Sequence, residues 1–419
     1  MKLEKQKSKF RWIVFISVLF TYLIMSVQRT APGLITDQLM VEFQLTASTV
    51  GILASIHFFI FTSLQIPMGI LVDRYGPDRI LFIGSLLTGI GISIYSCSPN
   101  EYILLFARVL TGTGDATVWI SIVLILSEWF QKNEFTRIIG FAGMTGSIGF
   151  LMATVPLSAW IDQNGWRIPF FTIGILLVLC FITLYFVLFK LPAQLLLKNT
   201  IDNERTIREG LLQQLKRVFT NRQTLALFFC HFGIVGGFIG FISSWAVPFG
   251  IEIYGMSRSE ASQMIMTGLF GAIFGAPLAS WLSSRLGTIK QLYVFIHILV
   301  VSSWFVFLIF RGQPPIILLY FLFILIGFGF GSSVLTFAIV RKHFSIYDSG
   351  VVSGVANTGG FLSAVLLPTI FGTILGYFQQ TTDHLTHGYF VAFISPVIFS
   401  LLGLIGICFV REKEMSTDK

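Results

Sequence analysis

Three charged residues stand where the sequence offers them no water: Arg29, Arg108 and Asp115 each lie inside a long apolar run. Arg29 comes 17 residues after Trp12, roughly 26 Å along a helix at 1.5 Å per residue. An unpaired guanidinium at such depth costs at least about 2.5–3.5 kcal/mol, so it needs a wet cavity or a partner. Its planar fork suits a carboxylate bidentately, which makes an anchor for an anionic ligand one reading. Hydrogen bonds to helix ends within the protein are the other. Arg108 and Asp115 are seven residues apart, two turns less about 20°, so they share a helix face about 10.5 Å apart along the axis. Burial favours Asp115 as the neutral acid and Arg108 favours it as the carboxylate, a balance suited to exchanging a proton. A permanent Arg108–Asp115 bridge is the alternative. With Asp115 ionised, the three charges leave an excess of one positive charge, which a substrate carboxylate would neutralise.

Elements able to hold such residues follow from composition. Of 419 residues, 54% are hydrophobic, 11% charged and 44 are phenylalanine, whereas a soluble domain carries about 25% charged residues. A water-facing surface cannot be built from this chain, which excludes a soluble enzyme, a disordered protein and an ordinary nucleic-acid binder. The net charge of +8 sits in short segments between apolar runs. The chain reads as an integral membrane protein. Apolar runs fall near 12–36, 46–71, 80–98, 102–126, 138–160 and 168–190, then near 223–251, 260–283, 292–310, 315–340, 348–377 and 388–410. Twelve helical spans are expected, because the runs lack the alternation of an outer-membrane barrel. Cys97, Cys180, Cys230 and Cys408 lie far apart inside apolar runs and read as small apolar fillers.

Counting Lys and Arg puts 23 on the side of both termini and the central break and three, Arg167, Arg258 and Arg311, on the other. The positive-inside bias therefore predicts cytoplasmic N- and C-termini. The basic N-terminal tail precedes a run too long for a signal peptide, with Arg29 inside it and no small-residue cleavage site, so it reads as a retained first helix. In the break from Leu191 to Arg222, Leu211, Leu212, Leu215 and Val218 share a helical face. That pattern predicts an amphipathic linker lying along the membrane surface; a calmodulin-type target is the alternative.

The two halves echo each other. GILVDRYGPDRIL (69–81) after the second span corresponds to SWLSSRLGTIKQL (280–292) after the eighth, and glycines with a proline recur in the fifth and eleventh spans. A six-plus-six duplication is the usual build of secondary transporters. Gly69-x-x-x-Asp73-Arg74-x-Gly76-x-x-Arg79 resembles the loop 2–3 signature of the major facilitator superfamily, and the likeness covers essentially the whole chain. Arg29 with Pro32, RVLTGTGDA (108–116), EWFQKNEFTRIIG (128–140) and SWAVPFGIEIYGMSRSEAS (244–262) resemble its organic anion:cation symporter branch. Departures are Gln28, where that branch usually has Asp, Asp115 for Glu, and Ser284 for the acid of the second-half motif.

The resemblance implies an all-α membrane protein with the MFS fold: a six-helix bundle over 1–190, a cytoplasmic linker over 191–222 and a second bundle over 223–419. In that superfamily helices 1, 4, 7 and 10 line the cavity. The expected substrate set is accordingly Arg29, Arg108, Trp119, His231, Trp245, Ser332 and Asn357, with Ser243, Ser244, Ser333 and Thr336 as further polar candidates and Asp115 as the proton-coupling residue. Packing roles are the competing reading for both tryptophans. Asp73, Arg74 and Arg79, with Arg285 in the second half, are expected to gate by latching one cytoplasmic geometry; topology alone also accounts for the cations. His57 and His231 each read more readily as satisfied core histidines than as proton relays, and Glu128 as an interfacial bracket. Weak metal binding at Asp383, His384 and His387 is a remote alternative, so no metal and no cofactor are expected. GFGFGSS (327–333) follows no strand, and no G-x-x-x-x-G-K-[ST] loop occurs, which argues against an ATP-driven pump.

The function implied is proton-coupled symport of a small organic anion or zwitterion by a monomer in a plasma or bacterial inner membrane. Its partners would be that substrate, the proton and the bilayer, with no nucleic acid. Dipeptides, a siderophore or drug export are alternative cargoes, and a transport-dead membrane sensor is a different class. An enzyme is disfavoured, since no nucleophile–base pattern appears.

Overall fold

The computed structural model describes residues 2–45, 47–191, 211–345, 347–381 and 385–411, and among them the regular elements are helical. In chain order they are α1 (Lys2–Thr30), α2 (Thr36–Glu42), α3 (Ala47–Ser63), α4 (Gln65–Tyr75), α5 (Pro77–Ser96), α6 (Glu101–Trp129), α7 (Lys132–Met152), α8 (Val155–Asn164) and α9 (Arg167–Tyr185). After the central break come α10 (Leu211–Thr220), α11 (Arg222–Ser244), α12 (Ala246–Tyr254), α13 (Arg258–Leu286), α14 (Lys290–Ile309) and α15 (Ile316–Ser332). The last four are α16 (Leu335–His343), α17 (Ser349–Thr381), α18 (Leu385–Ala392) and α19 (Ile394–Phe409). Among the described residues, eleven segments are long and apolar enough to cross a membrane, and the pair α3–α4, bent by 46°, makes a twelfth if it is one span.

Several spans that read as continuous apolar runs are broken, and the breaks follow proline. α3, α7, α11 and α18 each end four residues before one: Ser63 before Pro67, Met152 before Pro156, Ser244 before Pro248 and Ala392 before Pro396. A proline ring clashes with the carbonyl four residues back and offers that carbonyl no N–H, so the helix stops there. The same rule is relaxed at Pro368, which α17 carries inside an unbroken helix.

The helices gather into two compact units. The first comprises Met1–Gln131, Thr145–Lys216 and Phe344–Gly354; the second comprises Lys132–Met144, Arg217–His343 and Val355–Lys419. In the first, α6 packs on α5 and α3, and α9 packs on α5 and α1. Glycine sets the spacing of α5 and α6: a Cβ on Gly114 would sit 2.6 Å from the Gly84 carbonyl. In the second unit α13 packs on α15 and α11 on α19. Gly271 and Gly275 lie against the backbone of α15, and Gly236 and Gly240 against α17, the close approach that small residues at four-spacing permit. Of the central break, 192–210 lies outside the described residues. From Leu211 onward α10 buries Val218 and leaves Leu212 exposed.

Candidate functional site

The three intramembrane charges lie in the first unit, and packing makes one cluster around Asp115. α6 carries Arg108, Thr111 and Asp115 on one face, all buried. α3 approaches that face at Gly112, where a Cβ would meet the His57 carbonyl at 2.9 Å, and so His57 is brought to Thr111 and Asp115. The end of α1 supplies Gln28 and Arg29. Gln28 Nε2 donates to Asp115 Oδ2 at 2.9 Å and Arg29 Nε donates to the same oxygen at 3.1 Å. His57 Nε2 lies 3.3 Å from Oδ2, within ion-pair range but misaligned for a hydrogen bond. Its Nδ1 meets Thr111 Oγ1 at 3.3 Å, and Thr111 Oγ1 also faces the Arg108 carbonyl at 3.1 Å. The Arg29 guanidinium lies 4.8 Å above the Phe61 ring, a contact that offsets part of its desolvation.

The alternative of a permanent Arg108–Asp115 bridge does not match the structure, where the arginine on Asp115 is Arg29. Helical side chains lean toward the helix N-terminus, so Arg108 reaches away from Asp115, and its Nε donates to the Leu53 carbonyl at 3.2 Å. The cluster is incompletely satisfied. Arg29 Nη2, Arg108 Nη1 and Asp115 Oδ1 are buried without a hydrogen-bond partner among the described residues. Buried polar groups left open in this way are costly.

Hydrogen bookkeeping gives the His57–Thr111 contact chemical content. The Thr111 hydroxyl has one proton to give. If it goes to the Arg108 carbonyl, His57 Nδ1 must be the donor to Thr111, and Nε2 then faces the carboxylate oxygen with a lone pair unless a proton lies between them. If it goes to His57 Nδ1, Nε2 carries the ring's hydrogen toward Asp115 and no extra proton is needed. Two hydroxyl rotamers thus match two states that differ by one proton.

Trp119 packs on Tyr22 with ring centroids 5.6 Å apart, at the junction of α6 and α1. The remaining candidates lie in the second unit. His231 stands edge-on to Phe337 at 5.1 Å and hydrogen-bonds Asn357. Ser332 Oγ donates to the Phe328 carbonyl at 2.7 Å, and Trp245 Nε1 donates to the Pro368 carbonyl at 3.0 Å while stacking on Phe371. Ser332 and Trp245 therefore make helix-to-backbone contacts here. Thr336 meets the Tyr293 hydroxyl at 2.8 Å, and Tyr293 packs on His297; Tyr293 and His297 are buried residues that the sequence did not single out.

Of the gating set, Asp73 at the end of α4 is the best defined. Oδ1 accepts from the Gly350 amide at 2.8 Å and Oδ2 from the Val351 amide at 2.9 Å, in the first turn of α17, all within the first unit. A carboxylate there meets open N–H groups and the positive end of the helix dipole. Backbone amides are thus among the partners of Asp73. Gln214 spans from Asp73 to the Tyr347 carbonyl. Arg74 and Arg79 occupy the last turn of α4 and the first of α5. Arg285 in the second unit stacks over Trp281 at 5.3 Å. Asp383, His384 and the Ser243 side chain lie outside the described residues; His387 stands edge-on to Phe378.

Of the residues around Asp115, the sequence left out Thr111, noted Gln28 only as a departure from the branch pattern and read His57 more readily as a core histidine. The spacing of Arg108, Thr111 and Asp115 was a signal for Thr111. Gln28 and His57 are single polar residues in apolar runs, and only the neighbouring of α1, α3 and α6 reveals what they face.

Comparison with known proteins agrees with this architecture. The chain is 24% identical to the uncharacterized transporter YybO of Bacillus subtilis, over 97% of its own length and 91% of the relative's. It is 23% identical to a probable nitrate/nitrite antiporter, NarK1, of Thermus thermophilus (95% and 91% covered), and 21% identical to a D-galactonate transporter of Escherichia coli O6:H1 (86% and 88%). Its fold is similar to that of the proton:xylose symporter XylE, with a TM-score of 0.72 at 14% identity over 96% of this chain and 95% of that one. Residues 14–368 match the family model of the Major Facilitator Superfamily, and the chain belongs to that family of multi-pass transporters.

Proposed function

We propose that the protein is a proton-coupled symporter of a small organic anion, with Asp115 as the proton site and Arg29 and Arg108 as the anion's counter-charges. The observation that carries this reading is the unsatisfied cluster itself: of two buried guanidiniums only Arg29 meets the one carboxylate, Arg108 binds the Leu53 carbonyl, and each keeps an open donor among the described residues. Relatives named for galactonate and for nitrate or nitrite are consistent with an anionic cargo.

In the proposed cycle, ionised Asp115 holds Arg29 and Gln28 through Oδ2. A proton arriving at the Asp115–His57 contact neutralises the acid or charges the ring, and the Thr111 hydroxyl turns toward the Arg108 carbonyl to accept from Nδ1. Arg29 then faces either a neutral acid or a carboxylate shared with the imidazolium, and the anion's carboxylate supplies the missing counter-charge with charge-assisted hydrogen bonds. Proton and anion favour each other's binding because each removes a penalty left by the other, and such coupling is reciprocal. Movement of the bundles 1–190 and 223–419, with both termini cytoplasmic, would carry the pair across. Asp73 would release the first turn of α17 on the way.

The test is uptake into proteoliposomes under an inward proton gradient, against a panel of sugar acids, aromatic and aliphatic carboxylates, nitrate and dipeptides. The wild type should accumulate one anion class. Asp115→Asn should abolish accumulation driven by pH while keeping counterflow, and Arg29→Ala should abolish both in a protein that still elutes as a folded monomer. Undiminished pH-driven accumulation by Asp115→Asn would defeat the proposal.

A further inference from the structure

We propose that a groove between the start of α11 and the end of α19 binds an anionic phospholipid, the phosphate on Arg222 and Arg411 and the acyl chains along Phe229, Ile405 and Phe409. The groove holds about 580 Å³ and lies wholly in the second unit. Its lining has two zones. One end carries both arginines, and among the described residues neither has an ion-pair partner. The other is walled by Phe229, Ile405 and Phe409, which are 38%, 53% and 71% exposed.

The change of zone coincides with the membrane boundary. The span through α11 begins at Arg222, and the one ending in α19 stops at Phe409. A soluble anion would need only the cationic end, and a neutral lipid only the walls. A phospholipid with net negative charge uses both, as basic pockets between membrane helices do. The site is also held in shape. At Gly406 the two helices approach so closely that a Cβ would lie 2.8 Å from the Ala226 carbonyl. Gln223 fastens the rim, its Nε2 donating to the Phe409 carbonyl at 3.2 Å and its Oε1 accepting from the Arg411 amide at 2.8 Å. The first turn of α11 adds the positive end of a helix dipole beside Arg222. The inference is independent of the transport reading.

Native mass spectrometry of the full-length protein in detergent tests it, with titrations of phosphatidylglycerol, cardiolipin, phosphatidylcholine and free glycerol 3-phosphate. The anionic lipids should bind about tenfold or more tighter than phosphatidylcholine, and R222A/R411A should remove that preference. R222K/R411K should keep most of it. Ile405→Trp, which fills the walls without changing charge, should weaken the anionic lipids and carries the test if the double variant does not fold. Wild-type binding by either the double variant or Ile405→Trp overturns the proposal. So does competition by glycerol 3-phosphate as strong as that of phosphatidylglycerol, which would assign a soluble anion instead.

Discussion

At the scale of single residues, the charges of the site were legible because their type is wrong for their surroundings, while their pairing was not. Arg29, Arg108 and Asp115 announce themselves as ions in apolar runs. Which cation meets Asp115 depends on the lean of the Arg108 side chain and on the placing of α1, and neither is encoded in spacing along α6. His57 gave a weaker signal, since a lone histidine in an apolar run is commonly a packed core residue, and its meaning comes from lying 3.3 Å from both Thr111 Oγ1 and Asp115 Oδ2. A hydroxyl that alternates between the Arg108 carbonyl and His57 leads to a prediction. Thr111→Val removes the acceptor that the doubly protonated ring needs, at about the worth of one buried hydrogen bond, roughly 1 kcal/mol. The pH profile of transport should move toward acid by about half to one unit, with counterflow at low pH retained. Thr111→Ser should restore the original profile, whereas a purely structural role would lower the rate at every pH alike.

At the scale of elements, composition announced the spans, whereas their breaks four residues before proline were not read from the sequence, and the brackets that fix helix ends depend on contacts between loops far apart in sequence. Arg167 at the start of α9 is such a bracket. It pairs with Glu42 at the end of α2, donates from Nη1 to the Ser96 carbonyl at 2.7 Å and from Nη2 to the Ser98 carbonyl at 3.0 Å, while Trp166 Nε1 donates to Glu42 at 2.8 Å. Burial pushes the Glu42 carboxyl up, but the hydrogen bonds from Arg167 and Trp166 outweigh it and hold the group below its ordinary 4.5. A lowered value means that the contribution is complete above about pH 4.5 and is lost as pH falls through the lower folded value. Because both side chains are about 40% exposed, solvent screening limits the pair to about 1 kcal/mol or less. Thermal scans of the purified protein should show Arg167→Ala a few degrees less stable at pH 7, the lost carbonyl bonds included, and less dependent on pH below 4.5. Equal acid sensitivity in variant and wild type would remove Glu42 from the account. The crossing of α5 and α6 sets a sterner limit: Gly114→Val places carbon against the Gly84 carbonyl and should cost about 1–3 kcal/mol or more, read as loss of monodisperse protein.

At the scale of the whole molecule, the fold was the most legible feature, because a chain with 54% hydrophobic and 11% charged residues can satisfy its backbone in lipid only as helices or a closed barrel. The internal echo of 69–81 in 280–292 carried it from a helix count to a superfamily. What the chain moves is less legible, since cargo is read from the few side chains that escape packing. The charge count nevertheless constrains the energetics of the proposed cycle. With Asp115 ionised, Arg29, Arg108 and Asp115 carry a net charge of +1 in the empty site; one proton raises it to +2, and a monovalent anion returns it to +1. The loaded and empty carriers then cross the membrane with the same charge, and the membrane potential does no work on the cycle, although each unit charge moved would gain about 2.3 kcal/mol per 100 mV. Uptake of a monocarboxylate should therefore follow an imposed pH gradient and ignore a potassium diffusion potential set with valinomycin at constant pH. If instead the potential alone drives accumulation, more than one proton enters with each anion. Asp115 would then need a second titrating partner, and His57 is the residue placed to be it, so the same assay repeated on His57→Gln should return the cycle to electroneutrality.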